Sequence, residues 1–357
     1  MIKNIAEYYD ELEQTEKNSG IIWDELEGKR LLVTGASGMI GSYIIDLLMC
    51  HNRHSNKLIE IYALSRSRKR IDYRFKHTEY VETLNIVEHD ICKPLNIEVD
   101  VDYIIHAASN THPLQYSTDP IGTIMTNIEG TKNVLEFARK CDAKRVVFTS
   151  SVEVYGENRG NTEYFDEKYF GYIDCNTLRA GYPEGKRAGE ALCQGFRNQY
   201  GMDIVIPRLS RTYGPTMSKG DSKAIAQFIN KGIVGEDIVL KSEGNQLYSY
   251  SYAADAVTGI LYVMLKGNDG EAYNIADEGS DITLKEMASL IAESVGTKVI
   301  FDLPDEVERA GYSTATKALL DNKKIKTLGW SAGYDIKRGM ERTLKILKDV
   351  NQSKQNK

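Results

Sequence analysis

Residues 29–41 read KRLLVTGASGMIG, and this stretch decides the fold. The short apolar run at 29–34 predicts a β-strand, and the apolar pattern at 42–49 predicts a helix. Between them lies a turn with three glycines: Gly35, Gly38 and Gly41. Glycine lets the backbone approach a diphosphate closely, and the N-terminus of the next helix offers it unpaired N–H groups. The order of strand, glycine-rich turn and helix therefore predicts a dinucleotide-binding site rather than a turn without a ligand.

The second predicted strand, residues 59–64, leads into a basic tip that reads SRSRKR at 65–70. Folds that bind NAD usually carry an acid here for the ribose 2′-hydroxyl. This tip has no carboxylate, and its cations would tolerate or prefer a 2′-phosphate. A solvated basic loop explains the tip equally well. The choice between NAD and NADP therefore stays open, with the tip favouring NADP.

Further strands at 85–89, 101–106 and 145–149 each lead into small or polar residues and then a helix. This alternation predicts an α/β fold of the Rossmann type, with a doubly wound parallel sheet. Ligands of such sheets bind at the carboxyl ends of the strands. The predicted cofactor-binding residues are Gly35, Ser37, Gly38, Met39, Ile40, Gly41, Ser65, Arg66, Asp90, Ile91, Ala107, Ala108, Ser109, Tyr182 and Lys186.

The stretch GYPEGK at 181–186 contains a tyrosine and a lysine four residues apart. Pro183 suits the first turn of a helix, and residues four apart on a helix share a face. An ammonium about 4 Å from a phenol oxygen favours the phenolate by about 4 kcal/mol at an effective dielectric near 20. That would lower the pKa of Tyr182 to about 7 and make it a general base. Y-x-x-x-K is also common as a surface tyrosine near a solvated lysine, so the pair needs a partner.

A partner is available in TSSVEVYG at 149–156, which follows a predicted strand. Ser151 can hydrogen-bond both a substrate hydroxyl and the oxygen of Tyr182. The predicted catalytic residues are Ser151, Glu153, Tyr182 and Lys186.

Composition limits the other classes of function. The chain has 357 residues, 41% hydrophobic and 27% charged, with a formal net charge of −6. These values indicate a globular protein and argue against broad nucleic-acid affinity. No apolar run approaches the roughly 18 residues that span a bilayer, and residues 1–20 lack a secretion signal, so we expect a cytoplasmic protein without a membrane partner. The five cysteines are scattered without a C-x-x-C pair, and no metal site is predicted.

The pattern along the chain predicts two interleaved lobes and two terminal segments. The expected division is an N-terminal helical extension at 1–28, a dinucleotide-binding domain at 29–207 with returning segments at about 238–276, a substrate-binding α/β lobe at 208–237 and 277–350, and a disordered tail at 351–357.

Four strings in this order and spacing, GASGMIG, TSSVEVYG, GYPEGK and RLSRTYGP, make the chain resemble the extended short-chain dehydrogenase/reductases that modify nucleotide sugars, the NAD-dependent epimerase/dehydratase family. The resemblance runs from about residue 29 to 330 and looks most like the UDP-glucuronate decarboxylases. It implies a tightly bound, recycled NAD or NADP. By that scheme Tyr182, assisted by Lys186 and Ser151, removes the proton of the sugar 4-hydroxyl while hydride passes to the cofactor. A 4-keto sugar results.

The residues after Ser151 separate the subfamilies. Dehydratases usually place an Asp–Glu pair where this chain has Val152 and Glu153. Valine cannot donate a proton, whereas a glutamate at this position suits a decarboxylase and some 4-epimerases. The resemblance therefore implies C4 oxidation, most readily followed by decarboxylation, with 4-epimerisation or 4,6-dehydration as alternatives. An alternative of another class is a non-catalytic NADP-binding sensor, which would not need the complete triad.

Two departures from the family pattern concern the substrate. Arg211 replaces the asparagine of the family's R-x-x-N-T-x-G-P string, and Tyr248 replaces an arginine that contacts the nucleotide. Arg211 could restore the positive charge at the pyrophosphate, because a guanidinium can bind phosphate through two nitrogens. The predicted substrate-binding residues are Arg211, Tyr248 and Arg309. The resemblance also implies a homodimer that pairs through the helices following Asp119 and Pro183.

Overall fold

The structure is a computed structural model, and it describes residues 2, 5–75, 81–302 and 316–355. Strands and helices alternate along most of the chain. The strands are β1 (Arg30–Thr34), β2 (Glu60–Ser65), β3 (Leu84–Glu88), β4 (Tyr103–His106), β5 (Arg145–Phe148), β6 (Ser150–Ser151), β7 (Ile204–Leu209), β8 (Arg211–Tyr213), β9 (Ile238–Leu240), β10 (Leu247–Tyr252), β11 (Ala272–Ile275), β12 (Asp281–Thr283), β13 (Val299–Phe301) and β14 (Lys317–Ala318). The helices are α1 (Ala6–Asn18), α2 (Met39–Asn52), α3 (Arg68–Phe75), α4 (Pro113–Thr118), α5 (Pro120–Lys140), α6 (Gly181–Tyr200), α7 (Ala224–Gly232), α8 (Ala253–Lys266), α9 (Leu284–Val295), α10 (Lys323–Lys326) and α11 (Ile336–Gln355).

The main sheet has the strand order β11-β7-β5-β4-β1-β2-β3, and β6 pairs with β7. Each adjacent pair is parallel. In β1 the consecutive residues Leu31, Leu32 and Val33 are fully buried, as expected for a strand covered by helices on both faces. The strand order reverses between β1 and β4, which is where doubly wound sheets bind their ligands. The predicted Rossmann-type fold is confirmed.

A second lobe is built around β10. This strand pairs in parallel with β8 and β14 and antiparallel with β12, while β9 and β13 form a separate parallel pair. The expected returning segment at 238–276 is therefore wrong in its first part. Residues 238–252 contribute strands to the second lobe, and only α8 and β11 return to the main sheet.

The N-terminal extension docks on the main domain through buried polar groups. Glu11 of α1 is fully buried and accepts hydrogen bonds from the hydroxyls of Tyr43 (3.0 Å) and Tyr252 (2.6 Å). Arg342 of α11 contacts the same carboxylate at 3.3 Å and Glu7 at 2.5 Å. Helix α1 thus joins α2 of the dinucleotide-binding domain to α11. A 3-10 turn, Trp23–Glu25, follows helix α1.

Helix α11 continues to Gln355, so the expected disorder of the tail is wrong for 351–355, which are helical. Within the residues described, no helix is both long enough and apolar enough to cross a bilayer.

Candidate active site

The glycine-rich turn after β1 forms a cradle with little space for side chains. Gly35 has φ +67°, and a Cβ there would lie 2.8 Å from the carbonyl oxygen of Ala107, at the end of β4. A Cβ on Gly41 would lie 2.4 Å from the carbonyl oxygen of Gly35. Gly38 is the N-cap of α2, whose first N–H groups have no partner within the helix. The backbone of this turn therefore fits a diphosphate group at the helix N-terminus.

The end of β2 borders the same cradle. The hydroxyls of Ser37 and Ser65 lie 3.2 Å apart, and Nη2 of the exposed Arg66 lies 3.5 Å from Oδ1 of Asn110. The carboxylate beside Ser65 in the sheet is that of Glu88 on β3, and it accepts the backbone N–H of Arg68 at 3.1 Å. The basic tip is thus placed where a ribose would be recognised.

Asp90 and Ile91 follow β3, and Ala107, Ala108 and Ser109 follow β4, so both segments lie at the carboxyl edge of the sheet. Ile91 is buried, and a Cβ on Gly130 of α5 would lie 2.6 Å from its Cδ1. Oδ1 of Asp90 accepts the backbone N–H of Cys92 at 3.1 Å. The structure therefore brings these predicted cofactor residues to the edge that carries the glycine turn.

His106, the last residue of β4, is buried, and its ring contacts β1 on one side and α5 on the other. Its Nδ1 lies 2.8 Å from Oγ1 of Thr34, and its Nε2 lies 3.2 Å from Oγ1 of Thr131. Burial, and secondarily the charge of Lys186, lowers the pKa of His106 to about 3. A histidine that stays neutral and bonded on both nitrogens links elements rather than transferring protons.

The predicted catalytic side chains converge at the start of α6. Tyr182 and Lys186 are both buried in this helix, and Ser151 of β6 lies near enough to the phenol of Tyr182 to act on its pKa. The ammonium of Lys186 donates to the carbonyl oxygen of Thr149 at 2.8 Å. The hydroxyl of Ser151 also accepts the backbone N–H of Glu153 at 3.3 Å. The three members of the expected triad, Ser151, Tyr182 and Lys186, therefore meet in one region, where Ser151 is partly exposed.

The expected effect of Lys186 on Tyr182 is wrong for this arrangement. Burial raises the pKa of Tyr182 to about 12; the hydrogen bond from Ser151 opposes this shift, and the charge of Glu153 adds to it. Burial likewise lowers the pKa of Lys186 to about 8. The reason is that desolvation favours the neutral form of both groups, while the ammonium is directed at Thr149.

A mostly buried ion pair between Glu190 and Arg208 lies next to the triad. The sequence analysis did not predict it. Glu190 accepts hydrogen bonds from the hydroxyl of Ser150 and from Nη2 of Arg208, both at 2.6 Å. Nη1 of Arg208 donates to the hydroxyl of Tyr155 at 3.0 Å. The charge of Glu190 also raises the pKa of Lys186, against the effect of burial. The sequence signal was the spacing of Glu190, four residues after Lys186 on one helix face.

Residues from three further elements surround Tyr182 and Glu153. The ring of Tyr116 in α4 stacks on that of Tyr182, with centroids 5.3 Å apart and planes at 19°. Nη2 of Arg211 lies 3.3 Å from Oε1 of Glu153, and its guanidinium lies 3.7 Å from the ring centroid of Tyr248. Tyr116 belongs to no motif, so nothing in the sequence could have predicted its position beside Tyr182.

Two other expectations concern single residues and metals. Arg309 lies outside the described residues. In the described ranges, no cluster of three or more His, Cys, Asp and Glu side chains is arranged to hold a metal ion.

The fold and this arrangement agree with a match to a known family. The model of the NAD dependent epimerase/dehydratase family matches residues 31–276, and the chain belongs to this family.

Among its relatives, UDP-glucuronic acid decarboxylase 3 of Arabidopsis thaliana is 31% identical, over 87% of this chain and 86% of the relative. UDP-glucuronic acid decarboxylase 1 of Xenopus tropicalis is 29% identical, over 90% of this chain and 72% of the relative. A dTDP-glucose 4,6-dehydratase from Streptomyces venezuelae, solved with NAD bound, is 25% identical with a TM-score of 0.77, covering 91% of this chain and 98% of that one. A UDP-glucuronic acid 4-epimerase from Bacillus cereus shares the fold, with a TM-score of 0.75 at 20% identity, covering 90% and 99%.

Proposed function

We propose that this protein is a UDP-glucuronate-decarboxylase-like enzyme that oxidises the sugar of a nucleotide sugar at C4 with a retained nicotinamide cofactor. The observation that carries the proposal is the convergence of Ser151, Tyr182 and Lys186 at the carboxyl edge of the sheet, beside the glycine turn. The names of relatives about 30% identical over most of both chains support the decarboxylase as the first choice.

The cofactor would lie along the edge formed by the turns after β1, β2, β3 and β4. The backbone at Gly35, Gly38 and Gly41 would hold the diphosphate, and Ser65 and Arg66 would face the adenosine ribose. When bound, NAD supplies the hydride acceptor and donor for sugar C4 and a positively charged ring. NAD is the preferred cofactor of this proposal, because the chain belongs to the NAD dependent epimerase/dehydratase family. The tip at Arg66 keeps NADP as the alternative.

Tyr182 is proposed to take the proton of the sugar 4-hydroxyl and later to return it. Because burial holds the pKa of its phenol at about 12, proton removal requires stabilisation of the phenolate. Ser151 is proposed to provide this through a hydrogen bond. Lys186, which is charged below about pH 8, is proposed to add to it when its ammonium turns from the carbonyl oxygen of Thr149 toward the phenol. The stacked ring of Tyr116 is proposed to restrict the access of water to this phenol.

Decarboxylation then follows from the chemistry of the oxidised sugar. The C4 ketone is β to the C6 carboxylate, so the C5–C6 bond can break with its electron pair passing into a C4–C5 enolate. Carbon dioxide leaves, and a proton added at C5 restores the ketone before C4 is reduced. Glu153, two residues after Ser151, is proposed to position the ring or to handle this proton.

The neighbouring residue distinguishes the dehydratase alternative. Val152 is 5% exposed and carries no acidic group, so this chain lacks a proton donor where dehydration would use one. A 4-epimerase uses the same triad and differs only in returning hydride to the opposite face. A non-catalytic sensor would bind the cofactor without turnover.

The test is to incubate the purified protein with UDP-glucuronate, UDP-glucose and dTDP-glucose and to measure product masses. Loss of carbon dioxide from UDP-glucuronate is the expected result. Loss of water identifies a dehydratase, and an isomer of unchanged mass identifies an epimerase. No product from any sugar, with cofactor bound, would contradict the proposal and favour the sensor.

A further inference from the structure

We propose that Arg211 recognises the acidic group of the sugar, so that the site selects nucleotide sugars that carry a carboxylate at C5. This inference rests on the proposed function and replaces the initial assignment of Arg211 to the pyrophosphate. Arg211 is the first residue of β8, and its guanidinium lies between the carboxylate of Glu153 and the ring of Tyr248.

The position of the guanidinium relates it to the reacting end of the site. Glu153, its partner at 3.3 Å, is only two residues from Ser151, which lies beside the phenol of Tyr182. Tyr116, whose ring stacks on Tyr182, lies close enough to Glu153 and Arg211 for both charges to influence its phenol. Arg211 therefore lies on the Tyr182 side of the site, where the sugar ring must bind for its 4-hydroxyl to reach the phenol.

The contacts of the guanidinium leave most of its donors available. The Arg211 side chain is 23% exposed and makes one hydrogen bond, from Nη2 to Glu153. Among the described residues, no other group hydrogen-bonds its nitrogens. A mostly buried charge with unused donors is costly unless a ligand completes its partners. A carboxylate matches the geometry, because a guanidinium can donate two parallel hydrogen bonds to it.

The ring of Tyr248 fixes the orientation of the Arg211 guanidinium. A cation within about 6 Å of a ring centroid is attracted to the ring face, and the distance here is 3.7 Å. Tyr248 is itself 5% exposed, so the ring is held in place by packing. The guanidinium is thus preorganised, which reduces the entropy lost when an anion binds.

A pyrophosphate contact and a sugar-carboxylate contact differ in one measurable respect. Every nucleotide sugar contains the pyrophosphate, so losing that contact weakens the binding of all of them. Only an acidic sugar has the carboxylate, so losing that contact weakens one ligand selectively. UDP-glucuronate and UDP-glucose share the nucleotide, and comparing them cancels any preference for another base.

The test measures binding of UDP-glucuronate, UDP-glucose and UDP by calorimetry to the purified holoprotein. All variants carry Tyr182→Phe so that no ligand is consumed. Adding Arg211→Gln should weaken UDP-glucuronate binding about 10- to 100-fold, because a hydrogen-bonded charged group is lost. Binding of UDP-glucose and UDP should change less than about 3-fold on the same scale. Tyr248→Leu should give the same selectivity with a smaller loss.

Glu153→Gln should change the affinity for UDP-glucuronate in the opposite direction. It removes the carboxylate that competes for Arg211 and repels an acidic sugar, so UDP-glucuronate should bind more tightly while UDP-glucose is unaffected. Melting curves of each variant confirm that it is folded.

Three results would overturn the inference. Equal weakening of all three ligands in Arg211→Gln assigns the residue to the pyrophosphate. Unchanged binding of all three makes the Glu153–Arg211 pair structural. If the protein that retains Arg211 does not bind UDP-glucuronate more tightly than UDP-glucose, the basis of the inference is removed. Selective binding without release of carbon dioxide would instead leave Arg211 in this role and reject the proposed decarboxylation.

Discussion

Burial shifts the pKa values of the residues that carry the proposed chemistry. It raises the pKa of Tyr182 to about 12 and lowers that of Lys186 to about 8, so both groups are pushed toward their neutral forms. Ser151 and Glu190 act in the opposite direction, one on the phenol and the other on the lysine. At the scale of single residues, the site depends on the balance between desolvation and a few polar partners.

Tyr182→Phe removes only the phenol oxygen from the site. We expect turnover to fall by at least 10²–10⁴-fold, the usual contribution of a general acid–base group. Cofactor binding should stay within about 2-fold, because the glycine turn that would hold the diphosphate is elsewhere. Steady-state rates and cofactor titration provide the measurement, with the exposed Tyr73→Phe as the matched control. Normal activity in the variant would remove Tyr182 from the mechanism.

Arg66→Asp tests the cofactor preference at the end of β2. A carboxylate there can accept a hydrogen bond from the ribose 2′-hydroxyl and repels a 2′-phosphate. The ratio of NAD to NADP affinity should rise at least 10-fold. The same change at Arg68, also exposed on this tip, serves as the control. Copurification with NAD alone, together with unchanged NADP affinity in the variant, would show that the basic tip does not select the cofactor.

His106→Gln tests the neutral buried histidine through the dependence of stability on pH. The pKa of His106 is about 3 in the folded protein and near 6.5 in an unfolded chain. Between these values the unfolded chain binds more protons, so stability is lost as pH falls below 6.5. From pH 6.5 to 5 the loss due to His106 should be about 2 kcal/mol.

Glutamine can still bond Thr34 and Thr131, yet it does not titrate. The variant should therefore lose less stability than the unaltered protein over this pH range in urea unfolding. His54→Gln, at an exposed position, is the control. An identical pH dependence in the His106 variant and the unaltered protein would mean that folding does not lower the pKa of His106.

At the scale of elements, the sequence predicted most of the main sheet and less of the second lobe. The strands of the main sheet are apolar runs next to loops with clear turn chemistry, so their bounds were found within about two residues. Residues 238–252 were misassigned because a strand's partner is not encoded locally. Strand β10 pairs with β8, β12 and β14, and nothing within 247–252 specifies these partners.

The same limit applies to the site. Tyr182, Lys186 and Ser151 were predictable, because each belongs to a motif with its own spacing. The link from Glu190 to Ser150 and Arg208 was not, because it depends on the register of β6 against β7, where Ser150 faces Arg208. The pKa of Tyr182 was mispredicted for a related reason, since spacing gives no information on desolvation.

Glu190→Gln tests whether this buried pair supports the charge of Lys186. Removing the carboxylate should lower the pKa of Lys186 further below about 8, so the alkaline loss of activity should begin at lower pH. The variant should also be less stable, because Arg208 is left buried without its partner. Glu136→Gln, which breaks a half-exposed pair with Arg139, is the control.

The readout is the pH profile of kcat together with the melting temperature. A loss of stability without any movement of the alkaline limb would make Glu190 purely structural.

At the scale of the whole molecule, the chain crosses between the two lobes more than once, so the cofactor edge and the substrate-facing residues come from interleaved segments. Arg211 and Tyr248 belong to the second lobe, whereas Ser151 and Tyr182 belong to the main domain. The site is therefore complete only when both lobes are folded together.

The surface near the starts of α5 and α6 leads us to expect a homodimer. Leu114, Ile121 and Leu178 are 63%, 74% and 62% exposed, and their elements lie next to one another. Contiguous exposed apolar patches are typical of protein–protein interfaces. Sedimentation at micromolar concentration should give a dimer, and Ile121→Asp with Leu178→Asp should shift it toward monomer. Val234→Asp, exposed on another element, is the control. A monomer for the unaltered protein would contradict this expectation.

The docking of α1 has a consequence for the order of events during synthesis. Glu11 emerges from the ribosome early, but its partners Tyr252 and Arg342 follow 241 and 331 residues later. Until they arrive, Tyr43 alone of these partners is present, and the carboxylate has no cation to compensate its charge when it is buried. The segment made first therefore docks last, and its closure over such a separation is slow compared with local folding. An unfinished or truncated chain leaves α1 undocked, where proteases and chaperones can distinguish it from the completed protein.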